Sequence, residues 1–216
     1  MKLRFKISAS LDGFVAGPDQ SVENPLGIGG ERLHEWMVGL AVFRRLVGLE
    51  GGEVNESTPV VEESMAGIGA TVMGRNMFGG HPGPWDAKNP WAGWWGVNPP
   101  FHHPVFVLTH HARAPLKLEG GTTFTFVTDG IETALDLARR AAGGKDVSLA
   151  GGAQAARQYL LAGLVDEMEI NVVPTLLGSG ERLFDGVDDL RGLDLVRTVA
   201  APTVTHLKFA KRSAAA

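Results

Sequence analysis

The chain has 216 residues, 44% hydrophobic and 20% charged, and its 20 basic and 24 acidic side chains leave a net charge of −4. That balance suits one ordinary core, expected as a single domain over residues 1–212 with a frayed tail at 213–216, and it lacks the large basic field that nucleic-acid binding needs. Without cysteine there are no disulfides, thiolate metal sites or cysteine nucleophiles; with no signal-type apolar stretch and no run of about 18 apolar residues, a cytoplasmic location and no membrane partner are expected.

At the N-terminus Leu3, Phe5 and Ile7 alternate with Lys2, Arg4 and Lys6, the period of a strand with one buried face. Residues 10–30 are rich in Gly, Pro, Asp and Asn and read as a long loop able to close over a site. From Glu31 to Leu49, Leu33, Trp36, Met37, Leu40, Phe43, Leu46 and Val47 recur at helical spacing, which predicts one continuous core helix. Thr58-Pro59 offers an N-cap and a first-turn proline for a second helix ending near Gly67. Ala70–Met73 is a short apolar strand running directly into Gly74-Arg75-Asn76, a glycine before a helix start. The segment 79–104 then gathers four of the five tryptophans among prolines and glycines.

Val105–Leu108 and Thr122–Val127 read as further strands, and Asp129 with Glu132 forms a capping-box pattern for a helix over 131–142 that Gly143-Gly144 stops. Val147–Ala150 leads through Gly151-Gly152 into a small-residue helix, Ala153–Ala162, closed by Gly163 and followed by the strand Met168–Val173. This strand-helix-strand order favours parallel strands and a ligand site at their carboxyl ends, and a backbone without side chains allows close approach by a phosphate or ring. Leu193–Thr198 and Thr203–Phe209 form an antiparallel terminal pair. The class is therefore α/β, mostly parallel with an antiparallel C-terminal edge.

In this order the segments ISASLDGFVAG, TVMGRN, VFVLTH, SLAGGAQ and PTLLGSGERLF resemble the dihydrofolate reductase-like superfamily, and most closely its riboflavin-biosynthesis branch, the RibD C-terminal domain family. The resemblance covers nearly the whole chain and rests on the set of motifs. It implies a three-layer α/β/α fold with a central sheet of about eight strands, an NADPH-dependent reductase such as a 5-amino-6-(5-phosphoribosylamino)uracil reductase, a small-molecule substrate beside the nicotinamide, and a homodimer. By the same resemblance, Gly74 and Arg75 meet cofactor phosphate at a helix start; Thr109 and His110, assisted by Arg113, contact the adenosine 2′-phosphate. Gly151 and Gly152 lie against the pyrophosphate and nicotinamide side, with Ala153 and Gln154 opening the helix that favours the anion. Ala9, in the loop Ala9-Ser10-Leu11-Asp12, stands beside the carboxamide.

Hydride transfer also calls for a proton donor. Two carboxylates are candidates: Glu35, one residue before the core-facing Trp36, and Asp12, which either caps a turn in SLDGF or contacts substrate. The short motif that precedes the helix of folate enzymes is missing, which speaks against dihydrofolate itself. The paired histidines His102-His103 and His110-His111 point to opposite sides of an extended chain, so no metal site is expected. The tryptophans read equally as an aromatic pocket wall and as a packed flap or dimer surface. A non-catalytic nucleotide-binding or oligomeric scaffold is the rival function.

Overall fold

The computed structural model describes residues 1–88 and 90–211; the expected tail at 213–216 lies outside the described residues. In chain order the elements are β1 (Leu3–Ser10), β2 (Phe14–Ala16), a 3-10 turn (Gly30–Leu33), α1 (Glu35–Val38), α2 (Ala41–Leu46), α3 (Ser57–Met65), β3 (Ile68–Gly74) and α4 (Arg75–Phe78). They continue with β4 (Pro104–Leu108), β5 (Leu116–Lys117), β6 (Thr123–Val127), α5 (Gly130–Ala141), β7 (Asp146–Gly151), α6 (Ala153–Leu161), β8 (Glu167–Val173), β9 (Glu181–Arg182), β10 (Leu193–Ala201) and β11 (Val204–Lys211).

A nine-stranded sheet in the order β10-β11-β8-β1-β7-β3-β4-β6-β5 forms the middle layer. The pairings from β8 through β6 are parallel, while β11 on β8, β10 on β11 and β5 on β6 are antiparallel. The short β5 edge strand adds to the strands expected from sequence, and so antiparallel pairing occurs at both edges. β7 and β8 are parallel to each other with β1 between them, as a right-handed strand-helix-strand crossover permits.

One face of the sheet carries α5 and α6 on Leu3, Phe5, Ala70, Val72, Phe106, Val147 and Leu149. The single tyrosine, Tyr159, joins these helices by donating its hydroxyl to the Ile131 carbonyl at 2.7 Å. The other face has two covers. Over β3, β4 and β6, Phe78 and the tryptophan segment pack on Met73, Val105, Val107, Phe124 and Phe126. Over β8 and β11, Leu33, Trp36, Leu40, Val42 and Val61 form a smaller cluster with Val173 and Val204.

The continuous helix expected over 31–49 is instead a 3-10 turn followed by two short helices, α1 and α2, broken at Gly39-Leu40. Leu40 is extended, and the backbone around it bonds to Glu53: the Ala41 amide donates to the Glu53 carbonyl at 2.8 Å, and the Glu53 amide to Gly39 at 2.9 Å. Helical propensity, lowered by about 1 kcal/mol at a glycine, gives way to this tertiary pairing. The capping box at Asp129 is likewise not made. Asp129 stands at the N-cap without a side-chain cap bond, and its carboxylate accepts from Thr128 instead.

Beneath α3 the sheet face is polar. Trp36 donates its indole N–H to Ser8 Oγ at 3.1 Å and meets the His206 ring edge-on; His206 in turn bonds Asn171 at 2.7 Å and Ser57 at 2.9 Å. Burial, with the nearby Arg197 and Lys6 adding to it, pushes the His206 imidazole down to about 4 from an ordinary 6.5. The unfolded chain therefore takes up the proton first as pH falls. Stability should be intact above about pH 6.5 and decline by at most about 3 kcal/mol on the way to pH 4. Urea unfolding at pH 7.5, 6 and 5 should show that decline, and His206→Gln should flatten most of it; an equal slope in the variant would remove His206 as its source.

Candidate active site

Between β1 and β7 the parallel ladder lasts only from Leu3–Val147 to Phe5–Leu149, whereas β1 stays paired with β8 to its end at Ser10–Val173. Beyond Phe5 the sheet therefore opens toward the carboxyl ends of its strands, the place where open α/β sheets bind ligands. Gly74, Gly151 and Gly152 lie on the β3–β7 side of this opening. A Cβ built on Gly74 would stand 3.1 Å from Ala155 Cβ and 3.5 Å from the Gly152 nitrogen, so the strand ends are packed backbone to backbone. Gly151 has φ +115 and its peptide with Gly152 is cis. A Cβ on Gly152 meets nothing within 4 Å, so the space above it is open. Gly152 is the N-cap of α6 without a side-chain cap, and Ala153 and Gln154 open that helix, which leaves its first-turn amides available to an anion.

To one side lies a pair of guanidinium groups. Arg75 stacks on Trp85, with its Cζ 3.5 Å from the ring centroid, and Arg113 lies over the same indole at 5.0 Å. Arg75 also donates to the carbonyls of Gly79 and His81, and Arg113 to that of Trp91. Burial, with the neighbouring Arg113 second, lowers the pKa of Arg75, and its buried Nε has no hydrogen-bond partner among the described residues. Thr109 is buried and its hydroxyl receives the His111 amide at 3.1 Å; the His111 carbonyl accepts from Trp85. Arg75, Arg113 and, through His111, Thr109 are thus gathered around Trp85, while His110 is exposed between Thr109 and His111 in the chain.

On the other side, the polar sheet face floors a cavity of about 430 Å³. Arg4 and Lys6 of β1, Ser148 and Ala150 of β7, Thr71 of β3, Glu169 of β8 and His103, just before β4, line its floor, with Ser64 and Met65 of α3 and Met77, Pro100 and Phe101 around it. The charges are densely paired: Lys208 to Glu63 at 2.6 Å, Arg197 to Glu63 at 2.5 Å and to Glu169 at 3.1 Å. Lys6 donates to Ser64 Oγ at 2.8 Å, and burial lowers its pKa. Burial likewise raises the pKa of Glu169.

Neither nominated carboxylate lines this cavity. Asp12 accepts the amides of Leu177 and Gly178, at 3.2 and 2.7 Å, and the Ser10 hydroxyl followed by those amides brings its carboxyl down to about 2. It is a clamp between two loops distant in sequence, which is neither the cap of the SLDGF turn nor the substrate contact expected of it. Glu35 is exposed at the first position of α1: adjacent helical residues point about 100° apart, so with Trp36 buried the carboxylate is turned to solvent. Ala9 pairs with Val172 at the far rim of the opening, its side chain buried in the main core cluster.

Loop 10–30 is folded rather than loose: β2 pairs with β9, and a Cβ on Gly17 would lie 2.1 Å from the Ile28 carbonyl oxygen. The tryptophans are a packed flap. Trp85 meets Phe78 and Phe126 edge-on, Trp91 meets Trp94, and Trp95 stacks on Phe124; Phe101, at the end of the segment, is its aromatic contribution to the cavity wall. His103 bonds Thr71 and His102 bonds the Gly120 carbonyl, so the adjacent histidines serve separate contacts. The residues missed in sequence are Lys6, Glu169, Ser148 and Thr71. Their signal was a charged or hydroxyl side chain at alternate positions of strands that the fold places mid-sheet.

The RibD C-terminal domain family matches residues 1–207. The chain belongs to that family. No curated protein matches it. Among solved structures, this RibD C-terminal domain is similar to one described as a riboflavin biosynthesis protein from Shewanella sp. PV-4, at 20% identity and TM-score 0.60, over 99% of this chain and 100% of that one. It is also similar to a diaminohydroxyphosphoribosylaminopyrimidine deaminase/5-amino-6-(5-phosphoribosylamino)uracil reductase from Thermotoga maritima, at 14% identity and TM-score 0.57, over 98% of this chain but 56% of that one. A third is dihydrofolate reductase from Enterococcus faecalis complexed with NADP(H) and RAB-propyl, at 12% identity, TM-score 0.51 and 98% and 97% coverage. These likenesses give the RibD C-terminal domain the dihydrofolate reductase-like fold. Among its described residues no helix is long and apolar enough to cross a membrane.

The Asp12 clamp and the exposed Glu35 give opposite expectations. Asp12→Ala should release the 176–180 loop to limited proteolysis, whereas Glu35→Ala should unfold within about 0.5 kcal/mol of the parent. Equal protease resistance of parent and Asp12→Ala would refute the clamp.

Proposed function

We propose that this RibD C-terminal domain is an NADPH-dependent reductase acting on a small heterocyclic or carbonyl substrate, with homodimer formation and a cytoplasmic setting as parts of the same reading. The observation that carries it is the open space over Gly152, bordered on one side by the Arg75–Trp85–Arg113 stack and on the other by a polar-floored cavity. The residues fit NADPH. Gly151, Gly152 and the first amides of α6 would hold the pyrophosphate, and Arg75 and Arg113, with Thr109 and His110 beside them, would hold the 2′-phosphate.

When bound, NADPH supplies a hydride to a C=N or C=O bond. The chain's own part is positional. Gly74 and Gly152 keep side chains out of the approach, the paired guanidinium groups select the phosphorylated nucleotide, and α3 with Phe101 shields the floor residues from bulk water. The two neighbours named as a uracil reductase and a dihydrofolate reductase support a ring substrate. A non-catalytic nucleotide-binding scaffold is the second reading, favoured by Asp12 and Glu35 both lying outside the cavity; Glu169 and Lys6 on its floor favour the enzyme.

Tryptophan-fluorescence titration with NADPH and NADH tests this directly, because Trp85 lies under Arg75. NADPH should bind at least tenfold more tightly than NADH. Arg75→Ala and Arg113→Ala should each weaken NADPH about 10- to 100-fold, the value of one charge-assisted contact, and affect NADH less. Gly152→Val should keep the fold, having room for a side chain at an ordinary φ of −74, while abolishing NADPH binding. Binding of neither nucleotide by the parent protein would defeat the reading.

A further inference from the structure

One lysine differs from the others in its surroundings. Among the described residues Lys88, Lys117 and Lys145 are exposed, and Lys2, Lys208 and Lys211 each have a carboxylate oxygen within 3.1 Å. Lys6 is half-buried in the middle of β1, lines the cavity, and makes no ion pair among the described residues. The carboxylates around it are committed elsewhere. Glu169, opposite Lys6 on β8, is held by Arg197; Glu63 of α3 by Arg197 and Lys208; Glu167 by Lys2, Arg4 and Lys208. Lys6 gives one N–H to Ser64 Oγ at 2.8 Å, and the Ser64 hydroxyl donates its own proton to the Val61 carbonyl at 2.7 Å. Ser64 can therefore only accept, and the remaining valences of the Lys6 nitrogen have no protein partner among the described residues.

An exposed lysine is a free amine only about one time in a thousand near pH 7.5. Withdrawal from water disfavours the ammonium form: burial lowers the pKa of Lys6, with Arg4 on the same face of β1 adding to it and Glu169 opposing it. The other elements around the cavity leave that balance in place. Glu63 and Glu167, from α3 and β8, are matched by Lys208 and Arg197, while Ser148 and Thr71 are uncharged and burial lowers the pKa of His103. Leu46, Met65, Met77, Pro100 and Phe101 give the cavity apolar sides. We propose that Lys6 is a nucleophilic site of this cavity that takes uncharged, apolar aldehydes as imines. The amine nitrogen attacks the aldehyde carbon, C=O gives way to C=N, and both N–H hydrogens leave with the carbonyl oxygen as one molecule of water, with no oxidation or reduction. The apolar sides hold the hydrocarbon part of the aldehyde, and Glu169 opposite Lys6 offsets the positive charge of the protonated imine. This chemistry is independent of any dinucleotide at the glycine turn.

The test treats the full chain at pH 7.5 with benzaldehyde and sodium cyanoborohydride, which fixes an imine as a secondary amine, and maps the modified peptides by mass spectrometry. Lys6 should be alkylated at least about tenfold faster than Lys88, Lys117 or Lys145, the gain that one unit of pKa confers. Its rate should reach a plateau with rising benzaldehyde, and concentrated urea should erase the preference; the α-amino group of Met1 is scored separately. Lys6→Arg keeps the charge and removes the nucleophile, so the fast site should vanish while the exposed lysines react as before. Labelling of Lys6 no faster than the exposed lysines, a rate without a plateau, or a preference that survives urea would each overturn the proposal. All three are read on the parent protein and do not depend on the variant folding.

Discussion

A strand in the middle of a parallel sheet has no solvent face, and much of this molecule follows from placing β1 there. Leu3, Phe5 and Ala9 meet the core beneath α5 and α6 on one side. On the other side Arg4, Lys6 and Ser8 must find partners inside the protein, because α3 and the aromatic segment cover that face too. They do so through Glu63, Ser64, Trp36 and the side chains of β8 and β11. The result is a sheet face whose middle is polar while its β3–β4–β6 flank is aromatic and dry. A cavity at the boundary between the two has hydrogen-bonding capacity on its floor and apolar walls, the usual make-up of a small-molecule site.

The second constraint is where the sheet parts. β1 leaves β7 after three paired residues but keeps β8 throughout, so the split falls between the charged floor and the glycine-lined strand ends. The placing of Gly74 against Ala155 and Gly152 keeps β3, β7 and α6 close on one bank. Arg75 begins a helix on that bank and is turned by Trp85 toward Arg113, a contact between residues far apart in the chain. Paired guanidinium groups beside an open glycine turn on one bank and a polar-floored cavity with apolar walls on the other thus arise from a single divergence of two strands.

How much of this was legible in the sequence depended on how local each signal was. Gly151-Gly152 between a strand and a small-residue helix is a local device, and β3, β4, β6, β7 and β8 are bounded by turns that hydrophobic runs reveal. The order of motifs carried the fold as well. The helix break at Gly39-Leu40 was hidden because its cause is Glu53, a long-range backbone partner. The site floor was hidden for a related reason: alternation of Lys2, Arg4 and Lys6 with apolar neighbours reads as a strand with one wet face, and only the strand order shows that Arg4 and Lys6 lie between layers. Glu169 interrupts an otherwise apolar strand, and its meaning needed the register with Lys6. Asp12 was ambiguous in sequence, since its partners Leu177 and Gly178 belong to a distant loop.

The Asp12 contact has a kinetic consequence. Asp12 holds Leu177 and Gly178, β2 is paired with β9, and Gly180 lies so close to Ala16 that a Cβ there would fall 2.1 Å from its carbonyl oxygen. Segments 10–30 and 176–182 therefore form one braced wall. A wall of that kind moves as one unit or not at all, so in the proposed reductase it would stay in place from one turnover to the next, leaving the side of the cavity between α3 and Phe101 as the way in.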